Sequence, residues 1–77
     1  MAEGSLVRLQ AYVEEHQAEL SRLAYSYMKN RDDALDAVQE SIVRAIDKLH
    51  TLRDEERLRV WLTRIVENEC LSRLRRR

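Results

Sequence analysis

Residues 31–49 read RDDALDAVQESIVRAIDKL. Leu35, Val38, Ile42, Ala45, Ile46 and Leu49 recur at steps of 3, 4, 3, 1 and 3. That spacing predicts one amphipathic helix from about Arg31 to Leu49, with these six side chains as its apolar stripe. The opposite face carries Asp33, Asp36, Glu40 and Asp47. Asn30 stands where an N-cap belongs, and Asp32 and Asp33 fall in the first turn, where carboxylates suit the unpaired N–H groups. Between Asp32 and Asp47 five acids face one base, Arg44, a net charge of −4.

Upstream, a second periodic stretch runs from about Ser5 to Met28. Leu6, Leu9 and Val13 lead it, and Leu20, Leu23, Ala24 and Tyr27 continue it. Between the two groups lies EEHQAE, polar nearly all round, so this long helix is expected to bend or break there. Downstream, Thr51 with Asp54 three residues on resembles a capping box. A third helix is expected from near Asp54, with Leu58, Trp61, Leu62 and Ile65 inward and Val66 and Leu74 beside them. It ends on RLRRR at residues 73–77. From Trp61 onward five arginines face two glutamates, a net of +3. The chain's overall neutrality, with 14 basic and 14 acidic residues, is therefore a cancellation between an acidic middle helix and a basic last one.

The whole composition agrees with an all-α, compact three-helix bundle. There is no proline, and the single glycine is Gly4. A chain of 77 residues makes one small domain, expected to span 1–77. Phenylalanine is absent, so Leu, Val, Ile and Ala must fill the core, helped by Trp61 and three tyrosines. The single cysteine, Cys70, excludes an internal disulfide and a paired-thiolate zinc site; it reads as a small buried or half-buried hydrophobe. His16 and His50 are far apart and read as surface residues. No catalytic constellation, phosphate loop, metal cluster or cofactor motif is present, which points away from an enzyme. No apolar run approaches a membrane span, so membrane insertion is not expected and the cytoplasm is the expected location. The arginine end could complement the helix dipole, lie on an anionic surface or contact nucleic-acid phosphate.

Two segments in order narrow these choices. RLAYSYMKNRDDALDAVQESIVRAIDKL (22–49) and LRDEERLRVWLTRIVENECLSRLRRR (52–77) together resemble region 2 of the extracytoplasmic-function (ECF) sigma factors. The family pattern is a RLAY-type helix, a polar turn, a D-A-x-D-x-V-Q-E helix, a short loop, and a W-L-x-R-I-x-x-N helix ending in L-R-R. The resemblance reaches from about Val7 to the end.

It implies a bacterial transcription initiation factor that joins core RNA polymerase, directs it to promoters and helps open the −10 element. The acidic helix would dock on the clamp-helix coiled coil of the beta-prime subunit through Asp33, Asp36, Gln39 and Glu40. The −10 element would be read as non-template single strand, with one base flipped into a pocket made by the loop and the start of the last helix. Leu52 to Arg59 match that loop, with Arg53 and Arg59 among its bases taken to contact DNA. Asn68 matches the asparagine of I-x-x-N, and Arg64, Arg75 and Arg76 would follow the backbone. An anti-sigma factor is a further implied partner.

The chain also departs from the pattern. Asp54, Glu55 and Glu56 replace a common G-E-S and set the loop against phosphate. Glu67 replaces a common base and Ser72 a common aspartate, while Leu52 and Leu58 replace phenylalanines. The family's second domain, which reads the −35 element, does not follow within these 77 residues, so an isolated domain is expected. The acidic loop keeps a rival open, an interaction bundle without DNA contact. A helix-turn-helix binder of duplex DNA fits less well, because no short glycine turn precedes a polar recognition helix.

Overall fold

The computed structural model describes residues 2–76, and the terminal Arg77 of the arginine run lies outside them. Four α-helices form among the described residues: α1 (Ala2–Glu15), α2 (Gln17–Met28), α3 (Arg31–Asp47) and α4 (Leu58–Arg75). Two single-turn 3-10 segments, Leu49–Thr51 and Glu55–Arg57, join α3 to α4. Helices α2, α3 and α4 pack pairwise as the three-helix bundle, and α1 leans on the Leu49–Thr51 turn.

The expected break in the long first helix falls at His16. Its Nδ1 lies 3.1 Å from the Tyr12 carbonyl, which also accepts the His16 backbone N–H at 2.9 Å. A carbonyl oxygen can only accept, so Nδ1 carries the proton. A side chain competing for a ladder carbonyl is a recognised cause of helix bending. The imidazole stacks on Tyr12 with ring centroids 4.0 Å apart. His16 is therefore half-buried, not the surface residue its isolation in sequence suggested.

The α2–α3 corner takes two residues. Lys29 adopts the left-handed conformation at φ 59°, and its N–H closes on the Tyr25 carbonyl at 2.8 Å. Asn30 then caps α3 as expected, its Oδ1 accepting the Asp33 N–H at 3.0 Å. The Thr51–Asp54 capping box does not form. Thr51 Oγ1 donates instead to the Lys48 carbonyl at 2.7 Å, and Asp54 caps the next turn by accepting the Glu56 N–H at 3.0 Å. Helix α4 begins only at Leu58, later than the Asp54 start expected.

The core is built from Leu9, Leu20, Ala24, Met28, Ala34, Ala37, Val38, Ala45, Leu58, Leu62, Val66 and Cys70. The inward face of α3 differs from the predicted stripe. Ala34, Ala37, Val38, Ser41 and Ala45 point in, whereas Leu35 and Ile46 are 46% and 48% exposed. At about 100° per residue, the small residues lie immediately beside the larger apolar ones, and a small face lets α2 and α4 approach α3 more closely. Ser41 is fully buried, and its hydroxyl donates to the Ala37 carbonyl at 2.6 Å. On α4, Leu62, Val66 and Cys70 take the centre, flanked by half-buried Trp61, Ile65 and Leu74.

Candidate functional site

Helix α3 turns its small face inward and so presents its acids outward. Asp36 and Gln39 are exposed, and Asp33 and Glu40 are half-buried. Successive steps of 3 and 4 residues place Asp33, Asp36 and Glu40 along one outer line of the helix. Exposed Leu35, Val43 and Ile46 border this line. The result is an acidic ridge with an apolar margin, a form suited to a helical partner with bases beside apolar side chains. Glu40 lies 3.7 Å from Arg44 one turn on.

Arg44 leads to a contact that charge counting missed. Its Nε donates to Glu69 Oε1 at 2.9 Å, and Arg73 Nε donates to Glu69 Oε2 at 2.8 Å. Glu69 is only 5% exposed, and each of its oxygens has a guanidinium partner. The acidic and basic helices are thus paired across their interface, and half-buried Arg73 takes part in that pairing. Nothing in the local pattern marked Glu69, because it sits on the inner face of α4 between Val66 and Cys70.

The second feature lies where the loop meets α4. Thr51, Leu52, Arg53, Asp54, Arg57, Val60, Trp61 and Arg64 line an open surface cavity of about 350 Å³. Three exposed guanidinium groups and one indole therefore converge on a space of small-ligand size. Trp61 packs on the core and walls the cavity at the same time, so core packing describes only half of its setting. Its Nε1–H reaches Thr51 Oγ1 at 3.4 Å across the rim. Arg57 and Trp61 were not named among the sequence-predicted contact residues, although Arg57 lies in the Leu52–Arg59 loop and Trp61 near the start of the last helix, the two segments expected to form the pocket.

The six predicted DNA-facing residues are distributed unevenly. Arg53 and Arg64 line this cavity. Asn68 is exposed one turn beyond Arg64 on α4, outside the lining residues. Arg59 faces a different depression, with Arg8, Tyr12 and Glu55. Arg75 and Arg76 are exposed at the far end of α4, roughly 17 Å along the helix from Arg64. Arg76 Nη1 donates to Ser72 Oγ at 3.3 Å.

Burial sets the ionisation of three groups near these surfaces. It pushes the Cys70 thiol above its ordinary 9.0, reinforced by Glu69 and opposed by Arg73. It also raises the phenols of Tyr12 and Tyr27 above 10.0, with Glu67 adding to the effect at Tyr27. Among the described residues, no group of side chains could hold a metal ion, and no helix is long and apolar enough to cross a membrane.

Comparison with known proteins gives the family. RNA polymerase sigma factor SigV of Bacillus subtilis is 41% identical over 64 residues, covering 83% of this chain and 39% of SigV. ECF RNA polymerase sigma factor SigM of Mycobacterium tuberculosis is 39% identical over 61 residues, 79% of this chain and 31% of SigM. ECF RNA polymerase sigma factor SigG of the same species is 36% identical over 64 residues, 83% of this chain and 17% of SigG. The chain thus spans well under half the length of these curated relatives. No solved structure gives a significant match. The Sigma-70 region 2 family model matches residues 12–77, and over all but its first eleven residues the chain belongs to the sigma-70 region 2 family.

Proposed function

We propose that this chain is the core-binding and −10-recognition module of an ECF sigma factor, acting by binding and not by catalysis. The observation that carries this reading is the cavity of about 350 Å³ walled by Arg53, Arg57, Trp61 and Arg64. An unstacked base is flat and needs an aromatic or apolar wall; its phosphate needs guanidinium groups nearby. The cavity supplies both at the position where the family loop precedes the last helix. Arg64 and the exposed Asn68 continue the path along α4, with Asn68 able to donate to and accept from a base edge. Arg75 and Arg76 would engage phosphates further along the strand. Arg59 is set apart from the cavity and would serve the backbone alone.

On α3, Asp33, Asp36, Gln39 and Glu40 would dock on the beta-prime coiled coil of core RNA polymerase. The acidic ridge would set register and speed encounter, and Leu35, Val43 and Ile46 would supply the apolar contact. The same surface would suit an anti-sigma factor competing with the polymerase.

A binding selection tests the DNA role. Single-stranded 12-mers randomised at six central positions are passed over the immobilised chain, and the retained fraction is sequenced. The favoured sequence and its scramble are then compared by fluorescence anisotropy at several salt concentrations. A clear preference that persists as salt rises supports base capture. Equal binding, falling together with salt, leaves only charge attraction and favours the interaction-bundle alternative.

A further inference from the structure

The loop that walls the cavity carries three consecutive carboxylates, Asp54, Glu55 and Glu56. Two of them have partners inside the protein. Asp54 caps its own turn. Glu55 is held by α1 from the other end of the sequence: Ser5 Oγ–H donates to its Oε2 at 2.9 Å, and Arg8 Nε meets its Oε1 at 3.0 Å. Each oxygen has its own donor, so the hold fixes orientation as well as position. Glu55 opens the Glu55–Arg57 turn, which joins cavity-lining Asp54 to cavity-lining Arg57.

The contact is not a mainstay of the fold. The side chains of Arg8 and Glu55 are 65% and 40% exposed, and ion pairs of that kind add little to stability. Ser5 and Arg8 also precede residues 12–77, the part matched by the family model. The hold thus runs from residues ahead of the matched region to a loop inside it, where this sequence departs from the family pattern.

We infer that Ser5 and Arg8 are positioning residues for base capture. By neutralising and orienting Glu55 they seat the Glu55–Arg57 turn, keep Arg53 and Arg57 on the cavity wall, and withdraw one negative charge from the strand's path. This inference rests on the base-capture reading above.

The experiment measures how well the selected 12-mer is preferred over its scramble, for the wild type, Ser5→Ala, Arg8→Glu and the swap Arg8→Glu/Glu55→Arg. A change in net charge alone weakens both oligonucleotides equally and leaves the ratio untouched. Loss of positioning lowers the ratio, by roughly fivefold for Arg8→Glu and about twofold for Ser5→Ala, and the swap restores it. Far-ultraviolet circular dichroism checks folding, and Ser5→Ala carries the test if Arg8→Glu unfolds. A wild type that discriminates while the folded variants discriminate equally well overturns this inference alone. A wild type with no preference overturns the base-capture reading and this inference with it.

Discussion

Arg44 on α3 and Glu69 on α4 meet at 2.9 Å, and Glu69 is the only buried charged side chain among the described residues. Arg73 completes the pairing from one turn further along α4. The two arginines are not equivalent to the carboxylate. The side chains of Arg44 and Arg73 retain 48% and 26% exposure and can turn to water, whereas the Glu69 side chain at 4% cannot. Arg44→Ala should therefore cost about 1–3 kcal/mol, because Arg73 still pairs the carboxylate. Arg44→Ala/Arg73→Ala should cost about 3–5 kcal/mol by stranding it. The apolar triple Arg44→Met/Glu69→Leu/Arg73→Met should recover most of that loss. Urea unfolding followed at 222 nm decides; a double variant as stable as the wild type contradicts the assignment.

The outer line of the same helix predicts a binding effect that outweighs the small folding cost of losing the exposed Glu40–Arg44 pair. Asp36 is exposed and Glu40 half-buried, each on the face away from the core. Asp36→Arg/Glu40→Arg should weaken association with purified core RNA polymerase by at least about tenfold, chiefly through slower encounter and charge mismatch. The salt dependence of association should shrink with it. Unchanged affinity in a titration calorimeter means that α3 is not the docking face.

The α2–α3 corner stores strain at a defined residue. Lys29 holds φ at 59°. Left-handed backbone costs a residue with a Cβ about 1–2 kcal/mol, and glycine is the common occupant of this helix-ending position. Lys29→Gly should therefore stabilise the fold by about 0.5–1 kcal/mol after glycine's greater freedom when unfolded is counted. Asn30→Ala, which removes the cap on the Asp33 N–H, should cost about 1 kcal/mol. The two variants should move the thermal midpoint in opposite directions.

Alkaline pH should destabilise the protein through three groups acting in the same sense. Cys70, Tyr12 and Tyr27 all ionise later in the folded chain than in the unfolded one. Each therefore contributes stability that is fully present below its unfolded value, 9.0 for the thiol and 10.0 for the phenols, and is lost as pH rises through the raised folded value. Thermal midpoints should hold between pH 7 and 8.5 and fall from about pH 9 upward. Cys70→Ala should lose stability at neutral pH but show a shallower alkaline decline. Iodoacetamide should label native Cys70 far more slowly than the denatured chain, since the thiol is fully buried.

The sequence by itself determined whatever depends on near neighbours along the chain. Asn30 before a pair of aspartates marked the start of α3, and the polar EEHQAE run marked the break at His16. The order of the two long motifs carried the family. These signals are local because caps, periodicity and turn chemistry act over three or four residues. Which side of α3 faces inward was decided only in three dimensions. Leu35 and Ile46 are more apolar than Ala34 and Ser41, yet the smaller side chains permit closer helix contact, and the neighbours selected them. The same holds for charge. Counting placed Glu55 in a hostile loop and made Glu69 one of two acids in a basic helix; folding brought Ser5 and Arg8 to the first and Arg44 and Arg73 to the second. Periodicity assigns an angle around one helix, but a partner supplied by another helix exists only after the helices pack.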